Sequence, residues 1–258
     1  MTHHAQAHTQ HLAHKRVRRL ALGLSLSLVL APVATPSWAK QATPTILAPS
    51  TQAASHNYDY EMNIYRPVEA KNGIVATEQG LASQIGLEIL QKGGNAVDAA
   101  VAIGFALAVS LPNAGNIGGG GFMLVHQAET GKTIAVDFRE KAPAAATATM
   151  YQDDKGEIIP RASWYTHQAV GVPGTVAGLT KALEQWGSLP LAQVLEPAIQ
   201  LAEQGYTVSP TLAKQLRVQK DNLGKWPSTK AIFFNGDEPL KMGEQLVQKD
   251  LAASLKLI

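Results

Sequence analysis

Between Asn95 and Leu111 the chain offers a helix almost no face that could meet water. Ala99, Val101, Ile103, Phe105, Leu107 and Val109 fall all round a 3.6-residue period, and a helix without a polar face belongs at the centre of a packed structure. The run is shorter than the about 20 apolar residues that a membrane span requires. The remaining chain must therefore be layered around it. Asn95 is a suitable N-cap for this helix. The run before it, Glu78 to Lys92, carries Leu81, Ile85, Ile89 and Leu90 at helical spacing and stops at Gly93-Gly94.

Gly121 to Gln127 and Thr133 to Arg139 read as two strands joined by a turn at Glu129-Thr130-Gly131-Lys132. Further helices are predicted over Gly174–Trp186, Leu191–Gln204 and Ser209–Leu223, the first with a Pro-Gly start and with Gly187 beyond its end. From Gly243 to Ile258, Leu246, Val247, Leu251, Leu255 and Ile258 make an amphipathic pattern that reads as one helix without a terminal cap. Helices outside, a hairpin inside and one fully buried helix predict a layered α/β or α+β domain.

Composition narrows the chemistry. With 258 residues, 45% of them hydrophobic, there is chain enough for a sizeable core. The absence of cysteine excludes a disulfide framework, a thiolate metal site, an iron–sulfur cluster and a cysteine nucleophile. The net charge of +2 resides in residues 1–39, which contain Lys15, Arg16, Arg18 and Arg19 and no acid. The remainder has 18 basic against 20 acidic residues, so no nucleic-acid footprint is supported. A basic start, an apolar run from Leu20 to Ala34 and the small residues of Ser37-Trp38-Ala39 form the three-part pattern of a secretory signal peptide cut after Ala39. The apolar run is short for a membrane anchor. Five histidines (His3, His4, His8, His11 and His14) would leave with it, leaving His56, His126 and His167, so no metal site is expected. Residues 40–64, rich in Ala, Thr, Ser, Gln and Pro, read as a flexible tether, and 65–258 as the globular part.

Few segments could carry chemistry. Four consecutive glycines, Gly118 to Gly121, follow the buried helix, and without Cβ atoms they allow close approach of a backbone or a ligand. No Gly-Lys-Ser/Thr follows, so a phosphate cradle fails and tight packing is the better reading. In Asp137-Phe138-Arg139-Glu140, Arg139 either clamps a carboxylate with its planar fork or joins a surface ion pair with Asp137 and Glu140. In Gly171-Val172-Pro173-Gly174-Thr175 the Gly and Pro spacing serves a turn into a helix, and a catalytic Thr175 is the weaker reading. Thr166-His167, read on a strand, would point to opposite faces and has no privileged geometry.

Four stretches, taken together and in order, go further. They are Glu88 to Ala102 with its central Lys92-Gly93-Gly94-Asn95-Ala96-Val97-Asp98-Ala99-Ala100, Ala114-Gly115-Asn116-Ile117-Gly118-Gly119-Gly120-Gly121-Phe122-Met123, Asp137-Phe138-Arg139-Glu140-Lys141-Ala142-Pro143, and Gly171-Val172-Pro173-Gly174-Thr175-Val176-Ala177-Gly178. From about Tyr65 to the last residue the chain resembles the bacterial γ-glutamyltranspeptidases (glutathione hydrolases). The resemblance implies an N-terminal-nucleophile hydrolase fold, a four-layer αββα sandwich, present here only in part. It implies a precursor that cleaves itself into a large N-terminal and a small C-terminal subunit, the two remaining partners. The small subunit's new N-terminal Thr would attack the γ-glutamyl amide of glutathione and related compounds. Water would hydrolyse the acyl-enzyme, or an amino acid or peptide would take the γ-glutamyl group.

The resemblance carries the Arg of the family's Asp-Phe-Arg-Glu segment, which meets the substrate's α-carboxylate, onto Arg139, and this favours the clamp over the ion pair. The Gly-rich run is expected to pack near the site without taking part in chemistry. No cofactor and no metal are implied, and the signal peptide fits a periplasmic or secreted protein. The nucleophilic Thr is expected beyond Ile258. Tyr165-Thr166-His167-Gln168 lacks the Thr before and the Ser after that the family's nucleophile context requires. The 258 residues alone are thus expected to be inactive, as a gene fragment, an incomplete sequence or a truncated product. Two other readings stand beside this one: a related acylase of the cephalosporin-acylase or capsule-anchoring kind, and a non-catalytic secreted protein that keeps the carboxylate pocket.

Overall fold

A computed structural model of the chain describes residues 58–59, 64–65 and 68–258. The signal peptide at 1–39 and most of the 40–64 tether lie outside the described residues. The chain divides into two compact units, Met1–Arg66 and Pro67–Ile258. In the first, β1 (Tyr58–Asp59) pairs antiparallel with β2 (Ile64–Tyr65).

The second unit opens with α1 (Gly80–Gln91). Gly93 takes φ +91°, its N–H donates to Leu90 and that of Gly94 to Ile89, so the two glycines close the helix with paired Schellman bonds. Helix α2 (Ala96–Ser110) follows at once. Asn95 caps it by accepting the N–H groups of Val97 and Asp98, and Asp98 returns the bond by accepting the Asn95 N–H, a complete capping box. Val101, Ala102, Phe105, Ala106 and Val109 are fully buried, as an all-apolar helix demands, with α1 on one side and α4 and α5 on others. At 15 residues α2 is no span, and no helix among the described residues is long and apolar enough to cross a membrane.

Strands β3 (Phe122–Gln127) and β4 (Lys132–Asp137) form the antiparallel hairpin read from the sequence, in the register Phe122↔Asp137 to Gln127↔Lys132. It is not interior. Met123, Val125, Ile134 and Val136 turn inward, whereas Phe122 and Leu124 on the opposite face are 66% and 74% exposed. Strand alternation lets only one face reach the helices, and no described residue covers the other.

The short helix α3 (Ala162–Tyr165) and a 3-10 turn at His167–Ala169 lead to α4 (Thr175–Trp186) and α5 (Leu191–Gln204), the latter packed between α2 and α9. Strand β5 (Tyr206–Thr207) precedes α6 (Pro210–Val218), which Ser209 caps by accepting the Leu212 N–H. The single helix predicted over Ser209–Leu223 is broken here: Gln219 leaves helical geometry and α7 (Lys220–Leu223) is a separate turn. Leu212 and Leu216 are buried, but the next places on that stripe are Gln219 and Lys220, so no apolar burial draws a straight helix onward. Helix α8 (Pro227–Phe233) and the two-residue strands β6 (Phe234–Asn235) and β7 (Glu238–Pro239) follow, paired across Gly236.

The pattern read as one helix over Gly243–Ile258 also divides. Gln245–Leu246 is strand β8, paired with β5, and only Lys249–Leu257 is helical, as α9. Gly243 at φ +90° and the bonds from Gly243 N–H to Val208 and from Val208 N–H to Glu244 hold the segment extended. Leu246 is buried there, while Leu255 is buried from α9. The C-terminal carbonyls of α2 meet side chains from afar. Val109 accepts both the Tyr206 hydroxyl, at 3.1 Å, and Gln248 Nε2, at 2.8 Å, and Ser110 accepts Gln79 Nε2.

Candidate functional site

Arg139 stands at the end of β4, where the strand leaves the hairpin. Its own backbone N–H donates to Asp137 Oδ1 at 3.0 Å, the local turn that an Asp two residues back can make. Its guanidinium is largely free. The side chain is 65% exposed and approaches Glu140 only loosely, Nε to Oε1 at 3.9 Å. An ion pair of that length at the surface contributes little, so the fork is available to a ligand.

The backbone around Arg139 is held far more firmly than its side chain. The Gly-rich loop after α2 runs alongside it: Gly121 N–H and Phe138 N–H each donate to the other's carbonyl, at 3.4 and 3.1 Å. On the next side, Lys141 and Val172 exchange both backbone bonds, at 3.2 and 2.8 Å. A third set joins the loop to the start of α4. The N–H groups of Gly174 and Thr175 converge on the Gly119 carbonyl at 2.7 and 3.0 Å. Asn116 Oδ1 accepts the Gly119 N–H at 2.6 Å and the Thr175 hydroxyl at 3.2 Å. The sequence placed these three motifs in order along the chain; the fold brings them side by side.

The glycines serve this packing. A methyl group at Gly115 would overlap the Leu107 carbonyl and stand 2.8 Å from Ala108 N, one at Gly120 would stand 2.6 Å from the Phe138 carbonyl oxygen, and one at Gly121 would stand 2.9 Å from the Phe138 ring. Gly118 has open space instead. Thr175 is buried, with its hydroxyl committed to Asn116, which suits a structural tie.

Thr166 and His167 lie at the junction between α3 and the 3-10 turn, not on a strand. The Thr166 hydroxyl donates to the Ala162 carbonyl and the His167 ring packs edge-on against Trp226. Asn116, Phe138 and Gly178 were not singled out from the sequence as parts of this site. Their long-range partners lie 17 to 59 residues away, and an Asn opening a glycine run was the only local sign of the first.

Beside Arg139 is an open groove of about 550 Å³. Arg139, Lys141 and Lys181 contribute positive charge and Asp137 a single carboxylate, over a floor that includes Val136 and Pro173. Three cations against one acid, itself engaged by a backbone N–H, favour an anionic group. Among the described residues no group of three or more His, Cys, Asp and Glu side chains could hold a metal.

A family model described as Gamma-glutamyltranspeptidase matches residues 82–258. The glutathione hydrolase proenzyme of Escherichia coli (strain K12) is 49% identical over 203 residues, 78% of this chain and 35% of that protein. The acylase ACY 1 proenzyme of Pseudomonas sp. (strain SE83) is 42% identical over 75% of this chain and 36% of its own length. The crystal structure of Helicobacter pylori γ-glutamyltranspeptidase superposes with a TM-score of 0.71 at 47% identity, covering 74% of this chain and 55% of that one. The chain thus spans about a third of the length of the curated relatives it matches. Its fold is α/β, of the N-terminal-nucleophile hydrolase kind that the transpeptidase and acylase structures share. With three motifs gathered around one arginine and a family match running from α1 to Ile258, the chain belongs to the γ-glutamyltranspeptidase family.

Proposed function

We propose that the full-length protein is an exported γ-glutamyltransferase and glutathione hydrolase, and that Arg139 receives the α-carboxylate of its γ-glutamyl donor. The nucleophile is a Thr outside these 258 residues, released as the N-terminus of a small subunit when the precursor cleaves itself. Its α-amine takes the hydroxyl proton, so no separate histidine base is needed. The hydroxyl oxygen attacks the γ-amide carbon, backbone donors stabilise the oxyanion, and as the C–N bond breaks the protonated α-amine returns its proton to the departing amine of cysteinylglycine. Water or an amino acid then takes the acyl group. Residues 1–39 direct export and are removed, so the mature protein begins at Lys40.

The observation that carries this reading is the state of Arg139: a guanidinium free of any close ion pair, on a firmly bonded backbone, at the rim of a cationic groove. A planar five-donor fork there matches a carboxylate in two parallel bonds. The test uses two chromogenic anilides, one of glutamate through its γ-carboxyl and one of 4-aminobutyrate, which lacks the α-carboxylate. Charge-assisted bonds contribute about 1.5–3 kcal/mol, so Arg139→Gln should lower kcat/KM for the glutamyl donor by roughly 10- to 150-fold and leave the other donor nearly unchanged. Arg139→Lys should fall between, because it keeps the charge without the fork. Unchanged kinetics in both variants overturn the assignment. The 42% identity to an acylase proenzyme supports a second reading, in which the acyl group bears no α-carboxylate. That reading predicts the 4-aminobutyryl anilide, or another simple acyl donor, to be the better substrate of the unaltered protein.

A further inference from the structure

Residues 138–141 run through a slot walled by glycine. Phe138 is half-buried, with its ring between the Gly-rich loop and α4. A methyl group at Gly121 would stand 2.9 Å from Cε2 of that ring. On the far side, a methyl at Gly178 of α4 would overlap Phe138 Cβ and Cγ and stand 2.6 Å from Cδ1. These are the root atoms of the side chain, not a flexible end, so they cannot swing aside without moving the backbone. The Phe138 carbonyl is fixed too: it accepts the Gly121 N–H, and a methyl at Gly174 would overlap it. Arg139, one bond further along, has no comparable restraint on its side chain.

We infer that Phe138 is the locating pin for Arg139, and that Gly178 is the seat that admits it. Both are positioning residues, and the specificity they govern is for donors that carry an α-carboxylate. The inference rests on the reading of Arg139 as the carboxylate clamp. The geometry gives it a mechanism. A side chain with four rotatable bonds on an exposed rim can present its fork in one place only if its Cα is fixed, and here the neighbour's ring and carbonyl fix it. Gly178→Ala must move Phe138 or α4 by about an ångström to reach ordinary contact, and a displacement of that size at a substrate-orienting group can cost 10²-fold.

The experiment compares the same two anilide donors on the full-length, self-processed protein in four variants: Gly178→Ala, Phe138→Leu, Arg139→Gln and Gly86→Ala. Gly86 lies on α1, where an added methyl meets the far end of the Ile103 side chain and Val75 but no atom of residues 138–141, and it serves as a control for strained helix packing. The readout is the ratio of kcat/KM for the glutamyl donor to that for the 4-aminobutyryl donor. Gly178→Ala and Phe138→Leu should each lower the ratio tenfold or more, mainly through KM of the glutamyl donor, while Gly86→Ala leaves it unchanged. If Arg139→Gln leaves the ratio intact, the clamp reading itself fails. If Arg139→Gln collapses the ratio while Gly178→Ala and Phe138→Leu slow both donors equally, the pin is merely structural and the inference is overturned. Should Gly178→Ala fail to fold, Phe138→Leu, which keeps an apolar filling in the slot, decides alone.

Discussion

Asp98 is a fully buried carboxylate on a helix whose only other polar side chain is Ser110, and replacing it should be the most damaging single truncation of a polar side chain in the second unit. Four donors converge on it: Asn95 N–H at 2.7 Å, Ser188 N–H at 2.9 Å, the Ser188 hydroxyl at 2.6 Å and Leu189 N–H at 3.1 Å. Asp98→Ala strands three backbone N–H groups; the hydroxyl can turn elsewhere. A donor left unpaired away from water costs about 1–3 kcal/mol, and because Asn95 and Ser188 are exposed and Leu189 half-buried, each N–H counts near the lower end. The sum is about 3–5 kcal/mol, the range found when one partner of a buried charged contact is removed. Against a total stability of about 5–15 kcal/mol for a domain this is a large share. Asp98→Asn keeps the shape and one acceptor oxygen and should cost roughly half as much. Urea unfolding followed by circular dichroism measures both.

The pH dependence follows from the same contacts. Burial pushes the Asp98 carboxyl pKa up, but the bonds from the Ser188 hydroxyl and from the backbone of Asn95, Leu189 and Ser188 pull it further down, so it lies below the ordinary carboxylate value. A carboxyl depressed by folding stabilises the native state above its unfolded pKa of about 3.9 and loses that contribution as pH falls through the folded value. The gap between the unaltered protein and Asp98→Asn should therefore be widest near neutrality and close below about pH 4. A cost under about 1 kcal/mol for Asp98→Ala, or a gap that stays constant from pH 7 to pH 3, would refute this account of the knot.

Two further predictions test the frame around α2. Tyr206→Phe and Gln248→Leu each remove one of two donors from the buried Val109 carbonyl and should each cost about 1 kcal/mol, but the double variant leaves that carbonyl unpaired and should cost more than the sum by about 1 kcal/mol in urea unfolding; simple additivity would mean that the two donors do not share one acceptor. Gly93→Ala, at φ +91° in the Schellman turn, should lower stability by about 1 kcal/mol despite open space around the new methyl, and a neutral result in thermal melting would contradict the strain argument.

What could be read from the residues alone was local. The end of α1 at Gly93-Gly94 and the start of α2 at Asn95 are written in adjacent residues, and the hairpin in alternation and a turn. The errors came where distant partners decide. Leu246 fits a helical stripe, yet Tyr206 and Thr207 claim that segment for a strand, and α6 ends because its stripe runs into Gln219 and Lys220. The hairpin was expected inside, but alternation could not say how many layers would cover it. At the site, the Gly-rich run and Arg139 stood out as residue types, but the reason for five glycines in two motifs did not: Gly120, Gly121, Gly171, Gly174 and Gly178 each oppose a backbone or ring atom of residues 138–141. Asn95 was legible as an N-cap, but Asp98's return bond was not read, and the same carboxylate's second task, receiving Ser188 and Leu189, lay 90 residues off.

The slot that holds residues 138–141 grips main chain and the Phe138 ring but leaves the side chain at position 139 outside its walls. On the proposed reading of Arg139 as the carboxylate clamp, recognition and folding fall to neighbouring but separate atoms. Exposed substitutions away from buried contacts change stability by about half a kilocalorie per mole or less, so position 139 is a socket into which other side chains can be fitted at little cost to the scaffold. Positions 138 and 178 have no such freedom. If the proposed clamp holds, a programme to redirect the protein toward acyl groups without an α-carboxylate should randomise 139 and the groove rim at Lys181, and leave the glycines alone.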